Sequence, residues 1–190
     1  MSDPPLLILV TGAYASGKTT LARRVGERLG IPVVSRDDVY GGLMATLGFP
    51  DQEPGGTWSR RGVESFYSLV RHYLDAGVSV IAEQGFRAGI AEPDLLPLVR
   101  MAQARLLRAE VPHEVSVRRF EERTLREARA RSWRADRYVL ERMRAGEVDW
   151  ARFEIPLSLG DVPVLRVDAS DGYEPTLEEI ADFAIRGRRQ

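Results

Sequence analysis

The chain has 190 residues, enough for one α/β domain with a sizeable core, and its 44% hydrophobic and 29% charged residues are ordinary globular values. A net charge of −1 argues against nucleic-acid affinity spread over the whole surface, and the absence of cysteine excludes disulfides, thiolate metal sites and thiol catalysis. No apolar run reaches the ~18 residues that a membrane span needs. Met1-Ser-Asp-Pro-Pro5 lacks the basic start of a signal peptide and reads as a loose leader, so a cytoplasmic protein is expected.

The first element is the most informative. Leu6 to Val10 is an unbroken apolar run, the pattern of a strand buried on both faces. Gly12-x-x-x-x-Gly17-Lys18-Thr19 follows, and from Thr20 apolar residues recur at 21, 22, 25 and 29, the spacing of a helix face. Strand, glycine loop and helix are the context that makes this pattern a P-loop. Backbone N–H groups of Ala13, Tyr14, Ala15, Ser16, Gly17, Lys18, Thr19 and Thr20 can turn toward one anion, helped by the helix dipole. Lys18 is placed for the β- and γ-phosphates of a nucleotide, and the Thr19 hydroxyl for Mg²⁺. Of 27 Lys+Arg, Lys18 is the only lysine. A compact ammonium and a planar guanidinium are not equivalent against phosphate oxygens, so this exception in an arginine-rich chain supports the assignment.

Gly30 reads as a C-cap, Ile31–Ser35 as a second strand and Val39–Leu47 as a helix. Gly48–Gly56 is a loop, and Trp58–Ala76 a helix stopped by Gly77. Val78–Ala82 is a third strand, Glu92–Gln103 a helix with Pro93 near its start, and Arg105–Val111 a fourth strand. Pro112 opens a helix to about Ala130, and Asp136–Arg144 is another helical piece. Val162–Val167 is a fifth strand, and Thr176-x-x-Glu179 is a capping box for the last helix. Strands alternating with helices predict one five-stranded parallel sheet covered on both faces, in one domain over residues 1–190. Ligands of such sheets bind beyond the carboxyl ends of the strands.

Three segments fall on that rim besides the P-loop: Arg36-Asp37-Asp38 after strand two, Glu83 with Arg87 after strand three, and Asp168 to Tyr173 after strand five. Asp37, after strand two, is placed to orient an acceptor hydroxyl and take its proton, and Asp38 reads as a helix cap. Arg36 either binds an anionic part of the acceptor or pairs with a carboxylate. Glu83, at the end of strand three, serves Mg²⁺ through water, touches the acceptor or is an ordinary solvated glutamate, and Arg87 is an acceptor ligand or a surface charge. Seven arginines lie between Arg118 and Arg134. Most belong to a solvated face with Glu121, Glu122 and Glu127, but Arg123 and Arg126, three apart on one face, are candidates for a lid over the phosphates, with Arg129 or Arg131 next. The lid spans about 118–145. Trp58, Phe66, Tyr67 and Trp133 are either core or the lining of an acceptor pocket.

Gly12 to Thr20 with Arg36-Asp37-Asp38 resembles the small P-loop kinases of the predicted-kinase type, which share the nucleoside-monophosphate-kinase fold. It is similar to the kinase domain of polynucleotide kinase and to chloramphenicol phosphotransferase. The resemblance implies ATP and Mg²⁺, Asp37 as catalytic base, an arginine-bearing lid near 118–134 and an adenine loop at Asp168 to Tyr173, with Asp171, Gly172 and Tyr173 against the nucleotide. Glu83 stands where many relatives carry aspartate. The expectation is a phosphotransferase that moves the γ-phosphate of ATP to a hydroxyl of a small molecule, with no membrane partner. The alternatives are a 5′-hydroxyl polynucleotide kinase, which would bring a nucleic-acid partner, and an ATP-binding regulatory switch. A GTPase switch is excluded, because an Asn-Lys-x-Asp guanine reader needs a second lysine.

Overall fold

The computed structural model describes residues 3–47, 57–126 and 133–187. Strand β1 (Leu6–Gly12) leads through the glycine loop into helix α1 (Lys18–Leu29). Next come β2 (Val33–Ser35), α2 (Arg36–Leu47), α3 (Thr57–Asp75), β3 (Val80–Glu83), α4 (Glu92–Val99) and β4 (Gln103–Glu110). Helices α5 (His113–Arg126) and α6 (Trp133–Arg144) precede a short 3-10 turn (Ala151–Phe153), β5 (Val164–Asp168) and α7 (Leu177–Arg186). The strands form one parallel sheet in the order β2-β3-β1-β4-β5.

The apolar run of β1 is buried on both sides, as its sequence predicts. Leu7 and Leu9 face a core with Val34, Phe66, Val70 and Leu95, beneath α3 and α4. Ile8 and Val10 face Leu21, Val25, Ile180 and Phe183, beneath α1 and α7. Leu7 through Val10 are fully buried, worth about 1.5–3 kcal/mol for each of these side chains. Phe120, Leu140 and Met143 form a smaller third cluster between α5 and α6, on which Tyr14 of the glycine loop packs.

The five strands and the capping box stand where the sequence places them: the Thr176 side chain accepts from the Glu179 N–H, and the Glu179 carboxylate accepts from the Thr176 N–H at 2.8 Å. Several boundaries shift by a few residues, and three of the shifts bear on the sheet and the site. Helix α4 ends at Val99 rather than Gln103, and Gln103 already opens β4. Arg36, Asp37 and Asp38 form the first turn of α2, where two carboxylates suit the positive end of the helix dipole, so Asp38 lies inside the helix rather than capping it. Strand β3 runs Val80–Glu83 rather than Val78–Ala82, so the strand itself takes in Glu83.

Candidate active site

The glycine loop is shaped by two steric facts. A Cβ on Gly12 would stand 2.4 Å from both the Ala109 carbonyl and the Ser16 hydroxyl, so only glycine lets the loop leave β1 so close to β4. Gly17, at φ 87°, and Ala15, at φ 50°, take left-handed conformations that turn successive N–H groups inward. Ser16 is fully buried, and its hydroxyl has no hydrogen-bond partner among the described residues. Lys18 curls over the loop and donates to the Ala13 carbonyl at 3.3 Å. The result is a positively polarised cradle at the start of a 12-residue helix, the arrangement that binds phosphate.

Glu83 lies beside that cradle, only 2% exposed. In the parallel ladder it is the register partner of Val10 on one side and of Ser35 on the other. The Ser35 hydroxyl donates to Glu83 Oε2 at 2.6 Å. Burial pushes the Glu83 carboxyl above the ordinary carboxylate range, against the pull of Lys18 and of the Ser35 and Thr19 hydroxyls, while the Asp37 charge adds to the rise. Lys18, Thr19, Ser35 and Glu83 thus form one group. Its hard oxygen donors, one threonine hydroxyl and one carboxylate, suit Mg²⁺, which takes few protein ligands and completes its shell from phosphates and water. Among the described residues there is no cluster of three or more His, Cys, Asp or Glu that could hold a metal.

The rim at the ends of β2 and β3 is more open. The Asp37 side chain is 75% exposed and pairs with Arg36 at 3.1 Å. Arg36 also reaches the Ser59 hydroxyl at 3.4 Å and lies over the Tyr40 ring, tying α2 to α3. Asp38 points away and pairs with Arg23 of α1 at 3.1 Å. The Phe86 N–H donates to the Thr11 hydroxyl, pinning the segment after β3 against β1, and Arg87 is exposed beyond it. Phe66 is fully buried, so it is core and lines no acceptor pocket; Tyr67 packs edge-on against it. A cleft does open beside the loop, lined by Gly12, Phe86, Leu106, Arg108, Phe153 and Ile155. The side chains of Trp58 and Trp133 lie outside the described residues, as do Arg129 and Arg131.

The arginine-rich hairpin divides its charges. Arg123 pairs with Asp136 at 3.5 Å and lies 5.0 Å from the centre of the Phe120 ring, so it is held within the α5–α6 unit. Arg126 is exposed one turn further on. Arg119, which the sequence pattern assigns to no site, donates to the carbonyls of Ala169 at 2.9 Å and Ser170 at 2.6 Å. It clamps the loop of Asp168 to Tyr173 onto α5. In that loop Asp171 and Gly172 are exposed, while the half-buried Tyr173 ring packs toward the α1–α7 core with Arg24 above it. Ser35, Arg119 and the aromatic contacts of Tyr14 with Phe120, Trp150 and Phe153 were not singled out by the sequence. Only Ser35 carried a signal: it is a polar residue ending an apolar strand, as Glu83 is.

Sheet order, glycine loop and buried acid together define a P-loop protein with the architecture of the small P-loop kinases. The sequence matches the AAA domain family (AAA_33) over residues 7–146, and the chain belongs to that family. The fold is similar to that of a candidate kinase from Chloroflexus aurantiacus j-10-fl, with TM-score 0.69 and 26% identity over 98% of this chain and 97% of that one. It is also similar in fold to the Mycobacterium tuberculosis APS kinase CysC, solved with AMPPNP and APS, at TM-score 0.57 and 18% identity over 97% of each chain. A tRNA dimethylallyltransferase of Synechococcus sp. (strain CC9902) is 54% identical over 37 residues, which are 20% of this chain and only 12% of that protein.

Proposed function

We propose that the protein is an ATP-dependent kinase that transfers the γ-phosphate of ATP to a hydroxyl of a small molecule. The observation that carries this reading is the grouping of Lys18, Thr19 and the buried Glu83 around an inward-turned glycine loop. Backbone N–H groups of residues 13 to 19 cradle the phosphates, and Lys18 stabilises the charge that spreads over the γ-phosphoryl oxygens. Thr19 and Glu83 would hold Mg²⁺, which would supply neutralisation of phosphate charge when bound.

On the open side of the rim, Asp37 orients the acceptor. The acceptor oxygen bonds to the γ-phosphorus, and the bond from that phosphorus to the bridging oxygen breaks. ADP leaves with the bonding electrons, and Asp37 accepts the hydroxyl proton. Release of Arg36 from Asp37 frees both groups for the acceptor, with Arg36 and Arg87 offering charge to an anionic substituent. Arg123 or Arg126 approaches the phosphates when the α5–α6 unit closes, and the Asp168–Tyr173 loop held by Arg119 borders the base.

The test is an ATP-consumption screen against nucleosides, sugars, aminoglycosides, phenicols and 5′-hydroxyl oligonucleotides, with Lys18→Ala as the blank. Acceptor-dependent ADP formation that Lys18→Ala lacks supports the reading. A folded wild-type protein that binds no ATP analogue overturns it, and activity confined to the oligonucleotides would make the protein a polynucleotide kinase.

A further inference from the structure

We propose that Ser35 is a positioning residue for the phosphate site: its hydroxyl fixes the Glu83 carboxylate in the orientation that Mg²⁺·nucleotide requires. This rests on reading the glycine loop as the Mg²⁺·ATP site. Three observations carry it. Ser35 and Glu83 are both buried, at 3% and 2% exposure, and the Ser35 hydroxyl donates to Glu83 Oε2 at 2.6 Å, the range of a charge-assisted bond. The two residues are register partners in the parallel ladder, so the backbone of β2 and β3 sets the contact rather than a search by long side chains.

Strand parity supplies the third observation. Ser35 shares a face with Val33 and Glu83 shares one with Ile81, and both Val33 and Ile81 belong to the core beneath α1. That is the face on which α1 begins, with Lys18 and Thr19. A carboxylate offers two oxygens. With Oε2 committed to β2, only the other is presented to the loop, in one orientation. An unanchored glutamate, one methylene longer than aspartate, would sample several rotamers there and pay entropy to settle on one. The serine thus compensates for the extra length of the acid. Partners that orient a metal ligand in this way typically contribute about 10–100-fold in affinity.

The alternative is that Ser35 merely satisfies a buried polar group. The two readings separate in calorimetric titrations with AMPPNP, with and without Mg²⁺, on wild type, Ser35→Ala and Ser35→Thr. Positioning requires that Ser35→Ala lose about tenfold of the Mg²⁺-dependent gain in AMPPNP affinity while Mg²⁺-free affinity stays within about twofold, and that Ser35→Thr, which keeps the hydroxyl, restore the gain. If Ser35→Ala melts too low to titrate, Ser35→Cys, close in size but a weak donor, carries the same expectation. Ser35→Ala with an undiminished Mg²⁺ gain overturns the proposal, and so does an equal loss with and without Mg²⁺, which marks a structural role. A wild type that binds AMPPNP with no gain from Mg²⁺ contradicts the positioning role while leaving the nucleotide site standing. A wild type that binds no AMPPNP removes the nucleotide reading itself.

Discussion

The two halves of the sheet rim are built differently. On the nucleotide side, Glu83 is 2% exposed and bonded across the ladder, and Gly12 stands where no side chain fits. On the side proposed for the acceptor, Asp37 is 75% exposed and its partner is a side chain, Arg36. A site for a constant ligand, the polyphosphate, can be fixed by backbone and burial. A site that must match one acceptor among many is left to side chains on helix ends, where changes cost the fold little. The buried half is therefore where substitutions alter both binding and chemistry. In the open half the proposed function has them alter acceptor binding and chemistry while nucleotide binding stays.

Asp37→Asn gives the largest separation. It keeps size and removes proton acceptance, so single-turnover transfer should fall ~10²–10⁴, toward the lower figure if the transition state is loose and Asp37 mainly orients the acceptor. Rapid-quench kinetics with the acceptor found by screening checks this. Unchanged transfer would move the base elsewhere on the rim. Next is Lys18→Ala, which should lose ~10²–10³ in turnover, about 3–4 kcal/mol, with its circular dichroism and melting curve intact. Lys18→Arg should fail as well, because the planar fork does not replace a compact ammonium.

Arg123→Ala sharpens the comparison on the lid, which belongs to neither half. Arg123 rests on Asp136 and Phe120, so the phosphate contact proposed for it would require it to leave that pair. Loss of one charge-assisted contact made in the transition state lowers kcat about tenfold with little change in KM for ATP. Equal kinetics would make the ion pair a structural brace of the hairpin. The smallest effect belongs to Asp38→Asn. Its pair with Arg23 is exposed at both ends, 66% and 57%, and pairs of that kind contribute about 0–1 kcal/mol. Urea unfolding should register at most that, and turnover should not change.

The nucleotide half was legible in the sequence because its determinants are contiguous: an apolar run, two glycines, a lysine and a helix period lie within Leu6–Leu29. The capping box at Thr176 was legible for the same reason. What joins distant segments was not. Ser35 meets Glu83 across 48 residues, Arg119 reaches Ala169 across 50, and Ser116 bonds the Tyr14 carbonyl across 102. No local pattern marks such pairs before the sheet order is known. The end of α4 was misplaced because Met101, Ala102 and Gln103 are good helix formers, whereas the register of Gln103 beside Leu6 in β1 draws it into the sheet. Phe66 could be assigned to core rather than pocket only once α3 was seen lying on β1 and β3.

The division of the rim is tested most directly by titrating AMPPNP, in the presence of Mg²⁺, into wild type, Lys18→Ala and Asp37→Asn side by side. The expected result is equal affinity in wild type and Asp37→Asn, because the backbone cradle and Lys18 still hold the phosphates, and at least about tenfold weaker binding in Lys18→Ala, the loss of one charged hydrogen bond. An Asp37→Asn protein that loses the nucleotide, or a Lys18→Ala protein that keeps it at full affinity, would contradict the account.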